Sequence, residues 1–161
     1  MKLIKYIAAA VVLLVLSVLY YQHNFYYKIP NNPFDKLEAD SLTEFHLTKN
    51  RPDGTSVSAS CHQGRECDDV LAYLRQLELL PLKEKAANRL LANEENMPFL
   101  TGMLKFGQSA DEIFLSDLYA DQPTVFAVSS TRSGFKGAGY YEVQQSEFDV
   151  DYVWRLLKEE S

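Results

Sequence analysis

The chain has 161 residues, 47% hydrophobic and 24% charged, which fits one globular domain with at most an appendage and excludes wholesale disorder. Two cysteines exclude a disulfide-rich miniprotein or a four-cysteine zinc site, and three histidines leave little for a histidine-based metal centre. A net charge of −6 argues against non-specific binding to nucleic acid, so no nucleic-acid partner is expected.

Lys2 and Lys5 precede an apolar run from Tyr6 to Tyr21, broken only by Ser17. Sixteen helical residues span roughly 24 Å, and adding Leu3 and Ile4, with Lys5 reaching toward the headgroups, brings the run close to the ~30 Å hydrocarbon core. Tyr20, Tyr21, Phe25, Tyr26 and Tyr27 follow as an interfacial aromatic belt. The rival is a cleaved secretory signal, which has the same charged start and apolar middle. Cleavage needs small residues near the end of the run, where the chain has Val18, Leu19, Tyr20 and Tyr21. The reading is therefore a transmembrane signal-anchor over residues 1–27, contacting the lipid bilayer through 6–21.

Lysines before the run set the N-terminus on the cytoplasmic side by the positive-inside rule, with the remainder extracytoplasmic in the cell membrane. Residues 1–28 hold three of the sixteen basic residues and no acidic ones, so the exported part carries 13 minus 22, or −9. Anionic lipid repels such a domain, which is expected to stand off the bilayer. Pro30 and Pro33 oppose helix, so residues 28–40 read as an extended linker.

The exported domain is expected over 41–161. Thr43, Phe45 and Leu47 alternate with polar residues, Pro52-Asp53-Gly54 has turn chemistry, and Val57, Ala59 and Cys61 alternate again, which makes a β-hairpin. Asp68 and Asp69 sit where a helix N-terminus favours acids, and Val70, Leu74 and Leu77 repeat at helical spacing until Pro81. Residues 82–96 read either as a second amphipathic helix or as a long excursion. Strands follow at Leu100–Phe106, Glu112–Tyr119, Thr124–Ser130 and Gly139–Gln144. Val150, Val153, Trp154 and Leu157 share one face of a closing helix, with Ser146 and Asp149 near its start. The order β-β-α-(α)-β-β-β-β-α is α+β, a mostly antiparallel sheet with helices on one face.

An N-terminal anchor, a hairpin, the helix in DDVLAYLRQLELLP and strands ending in GYYEVQQSEFDVDYVWRLLKEE together resemble small membrane-anchored extracytoplasmic domains of unknown function from Gram-positive bacteria. The resemblance covers about residues 41–160. It implies an extracytoplasmic location, with no established activity and no catalytic motif.

Cys61 and Cys67, six positions apart around Gly64, suit a structural disulfide in an oxidising compartment. A seven-residue ring stabilises by about 2.4 kcal/mol in the chain-entropy model. Two alternatives stay open: a redox pair, since Cys67 stands near a helix start, and a metal site using Cys61, His62, Glu66 and Cys67. The usual separated second ligand cluster is missing from the sequence, so no metal and no cofactor are expected.

No serine stands in a G-x-S-x-G setting, and His46, opposite Phe45 and Leu47, reads as a solvent-facing strand residue. Glu94-Glu95 and Asp117 with Asp121 are candidate paired carboxylates for glycoside cleavage, set against a solvated acidic surface as the simpler reading. Asp111-Glu112 and Asp149 with Asp151 fit turns and helix capping. The segment from Gly134 to Gly139 lacks phosphate-loop spacing and reads as a hairpin loop with Phe135 at its tip. Phe135, Tyr140 and Tyr141 are the candidate interaction residues, as a binding anchor and a contact surface. The function expected from these readings is a single-pass extracytoplasmic binding module without catalysis, with an envelope protein or peptide as partner. The alternatives are an envelope enzyme, either a carboxylate-based hydrolase or a thiol–disulfide protein, and a protective or inhibitory protein against an exported toxin or hydrolase.

Overall fold

A computed structural model describes residues 2–37, 42–92, 97–107, 111–119, 124–144 and 147–159. Helix α1 runs over Lys2–Asn24 and continues into a 3₁₀ turn at Tyr26–Lys28. It is about 35 Å long by helical rise, long and apolar enough to cross a membrane, and none of its apolar window is buried in the protein.

The strands are β1 (Leu42–Asn50), β2 (Ser56–His62), β3 (Leu79–Leu82), β4 (Phe99–Phe106), β5 (Glu112–Tyr119), β6 (Val125–Ser130), β7 (Gly139–Val143) and β8 (Lys158–Glu159). They form one sheet in the order β3-β7-β6-β5-β4-β1-β2-β8. Every pairing is antiparallel. The α+β architecture and the predicted strands are therefore present, in the predicted order. The hairpin pairs Phe45 with Cys61 and Leu47 with Ala59 on the buried face. On the other face the Thr48 and Ser58 hydroxyls meet at 3.0 Å. Period-two alternation dictates this division, because a one-residue slip would turn the whole apolar set to solvent.

Helices α2 (Arg65–Gln76) and α4 (Val150–Leu156) pack together over one sheet face. Their Val70, Leu74 and Val153 join Phe45, Leu104, Phe126, Tyr141 and Phe148 in the core. Asp149 caps α4 by accepting from the Tyr152 amide at 2.8 Å, while Ser146 lies outside the described residues.

Three expectations change. Helix α2 stops at Gln76 rather than running to Pro81, and Leu79–Leu82 becomes an edge strand on β7. An edge tolerates Pro81 because it lacks only a donor that the sheet does not need there. The ambiguous 82–96 stretch contains a helix, α3 (Glu84–Leu91), and residues 93–96 lie outside the described set. Helix α3 contacts β6 and β7. Its buried Ala87, like Val125 of β6, stays outside the main core cluster, which puts α3 on the face opposite α2 and α4. The expectation of helices on one face thus holds for α2 and α4 and not for α3.

The third change concerns the linker. Residues 32–37 are folded into the domain. Pro33–Lys36 forms a 3₁₀ turn, and Phe34 and Leu37 are core residues. The buried Asn32 amide donates to the carbonyls of Leu74 (2.8 Å), Arg75 (3.2 Å) and Leu77 (2.9 Å), and its oxygen accepts from the Phe34 amide at 2.8 Å. A helix end leaves its last carbonyls without intrahelical partners, and Asn32 supplies them for α2. Arg75 in turn donates to the Leu37 carbonyl at 2.8 Å. Two prolines do oppose a regular helix, but they do not oppose packing, and the apolar Phe34 decides the outcome.

Candidate functional site

The Cys61–Cys67 pair joins the end of β2 to the first turn of α2, with Cα atoms 5.7 Å apart in a disulfide. Gly64, at φ +140°, makes the turn between them, a backbone conformation that side-chain-bearing residues rarely adopt. Cys61 is 6% exposed and Cys67 is wholly buried. Thiol–disulfide exchange requires an attacking thiolate to reach a sulfur, and both cysteines lie largely buried. With the sulfurs joined, the set Cys61, His62, Glu66 and Cys67 loses two of its four donors, and among the described residues no cluster of three potential ligands occurs.

The other candidates scatter. Glu94, Glu95 and Asp121 lie outside the described residues. Asp117 sits at φ +57° in β5, where the pairing with β4 shifts register, so its placement belongs to a bulge. His46 lies half-buried on the face opposite Phe45, between Ser60 and Met103 of the neighbouring strands. One contact escaped the sequence reading. Ser60 Oγ lies 3.4 Å from His62 Nε2, two residues along the same strand face. Their spacing, two positions along one strand, puts both side chains on a shared face. Glu44 and Glu112 both face Lys105, at 2.9 and 3.9 Å, and the bond to Glu44 raises the lysine pKa.

The β6–β7 loop carries one of the candidate interaction residues, Phe135. Its base is fixed by hydrogen bonds: the Ser130 hydroxyl donates to the Glu112 carbonyl at 2.9 Å, and the Arg132 amide donates to Ser130 Oγ at 2.9 Å. Phe135 folds back over the buried Gly137, where an added Cβ would meet the Phe135 ring and Pro33 at 2.5 Å each. It is half-buried against the core, so its ring both pins the loop and shows an edge to solvent. Beneath lies a cleft of about 340 Å³, lined by Leu37 and the loop from Arg132 to Gly137. Its cationic groups are Arg132 and Lys136.

The two tyrosines part company. Tyr140 is half-buried on the α3 face; burial raises its pKa, helped by the Asp117 and Glu84 charges. Tyr141 is a core residue whose hydroxyl donates to the Gly137 carbonyl at 3.0 Å, and burial drives its pKa far up. A buried ring cannot meet a partner, so Tyr141 is removed from the candidate contact surface. It holds the loop that presents Phe135.

The second assembly sits where α1 ends, and the sequence did not suggest it. The turn at Tyr26–Lys28 packs on β3, and the Asn31 amide donates to the Leu79 carbonyl at 2.7 Å. Lys83 places its ammonium 5.4 Å from the centre of the Tyr27 ring and 3.5 Å from the His23 carbonyl, the latter at the limit of a hydrogen bond. Contacts between residues some sixty positions apart leave no trace in local periodicity. They bring the β3–β7 edge directly against the end of α1.

Compared with protein-family models, curated protein sequences and solved structures, the chain matches none. The resemblance to small exported domains therefore rests on element order and the Tyr140-Tyr141 strand alone.

Proposed function

We propose that the protein is a single-pass, membrane-anchored extracytoplasmic binding module whose β6–β7 loop cleft receives an envelope protein or peptide. The observation that carries this reading is α1 itself. Residues such as Ile4, Leu13, Leu14 and Leu19 leave 55–70% of their surface uncovered by protein. Burying each such side chain is worth about 1.5–3 kcal/mol, a gain that lipid supplies and water does not. The Cys61–Cys67 disulfide supports an oxidising location, and the lysines ahead of the span support a cytoplasmic N-terminus.

Binding rather than chemistry is supported by the groups around the cleft. One aromatic edge, two cations and backbone carbonyls provide contact and charge complementarity, the ingredients of recognition. A photo-crosslinking residue at position 135, introduced into full-length protein in whole cells, should trap a discrete protein adduct. The same residue at exposed Arg65, beyond the cleft, should not. Absence of an adduct at 135, together with turnover of a wall-derived substrate by the purified protein, would replace this reading with an enzymatic one.

A further inference from the structure

Helix α3 carries a local excess of positive charge in an acidic domain. Between residues 83 and 89 stand Lys83, Lys85 and Arg89 against the single acid Glu84. Lys85 and Arg89 are exposed, and so is Leu90, at 51%. The position of this patch is what gives it meaning. Lys83, which immediately precedes α3, reaches the His23 carbonyl and the Tyr27 ring. His23 lies one turn beyond Tyr20 on α1, and Lys28, also exposed, ends the following turn.

We propose that Lys28, Lys83, Lys85 and Arg89 form a binding site for anionic phospholipid headgroups, with α3 seated on the surface of the bilayer that α1 crosses. This rests on the membrane-anchored reading. The headgroup region extends about 5–7 Å beyond the hydrocarbon on each side, and α3 is about 12 Å long. With its start fixed at the end of α1, its first half therefore lies within a Debye length of about 8 Å from the headgroups, whichever way the helix tilts. Over a leaflet that carries anionic lipid, a cation at that depth gains on the order of fivefold in local lipid association, and several act together. Leu90 then adds an apolar contact at the interface. The rest of the acidic domain is repelled by the same surface, so the two signs of charge orient the domain with the β3–β7 edge inward.

The test uses full-length protein in nanodiscs of phosphatidylcholine alone and in nanodiscs enriched in phosphatidylglycerol. A fluorophore at L90C, attached without reducing the native disulfide, reports quenching by lipids spin-labelled at the headgroup. Quenching should rise several-fold in the anionic discs, fall in high salt, drop to the phosphatidylcholine level in K85E/R89E and persist in K85R/R89K. Equal quenching in both lipids, or an unchanged response in K85E/R89E, would overturn the proposal. A second label at L13C, read with lipids spin-labelled deep in the acyl chain, separates the two claims. Strong quenching at position 13 with none at 90 overturns the headgroup site alone, whereas no quenching at 13 overturns the membrane anchor on which it rests.

Discussion

Asn32 shows how one side chain converts a segment of chain into part of a domain. Its amide serves three carbonyls at the end of α2 while its oxygen holds the Phe34 amide. Asn32→Ala should lower unfolding stability by about 1–3 kcal/mol, because buried carbonyls lose their donor. Asn32→Asp should cost more, since a carboxylate would face the same oxygens. Urea denaturation of the detergent-solubilised chain, followed by far-ultraviolet circular dichroism, measures both. The tyrosines give the pH dependence. Burial raises the pKa values of Tyr73 and Tyr141, so the fold prefers the neutral phenols. Their contribution is complete below the unfolded value of about 10 and is lost as pH rises through the higher folded values. Tyrosinate absorbance should show a late, unfolding-linked phase above the ordinary range. Tyr141→Phe should diminish that phase and, by losing the bond to Gly137, cost about 1 kcal/mol at neutral pH.

Among the elements, the turn at Pro33–Lys36 is the most informative. A tether predicts that Phe34→Ala changes nothing, whereas a core residue predicts a loss of about 3–5 kcal/mol. Its complete burial requires the second outcome, read as a fall in the urea midpoint with little change in slope. Strands β1 and β2 were legible because apolar and polar residues alternate along them, and β4, β5, β6 and β7 because apolar-rich runs are bounded by Gly107, Pro123 and the Gly134–Gly137 stretch. Strand β3 was not, since LLPL contains a proline and no alternation; its existence depends on the partner strand. Strand β8 has two residues and exists only because Ala59 and Ser60 offer an edge. Helix α3 was half-legible, because an amphipathic pattern of eight residues is too short to stabilise itself without the sheet beneath.

For the whole molecule, the proposed membrane anchor and its proposed direction make a direct prediction. A periplasmic- or surface-active reporter fused to the C-terminus should be active, and a cytoplasmic one silent. The protein recovered from membranes should retain Met1 or Lys2 as its first residue; recovery without the first two dozen residues would leave the signal-peptide reading in place. Residues 29–161 carry −9, and the Tyr26–Lys28 turn, Asn31 and Lys83 fasten the β3–β7 edge to the end of α1. Net charge describes the far field of a domain, whereas short contacts between specific groups decide which edge meets α1.

Periodicity, turn chemistry and a long apolar run are local properties, and they sufficed for the apolar helix, the hairpin, the later strands, the capped last helix and the Cys61–Cys67 ring. The candidate surface was legible only as far as Phe135, whose placement on a glycine-rich loop is itself local. Which face carries α3, why Tyr141 is core while Tyr140 is not, and how residues 32–37 close the end of α2 all depend on partners 40 or more positions away or on the opposite side of the sheet. Chain entropy makes such distant contacts invisible to any local pattern, because they acquire their energy only after the sheet has brought the segments together.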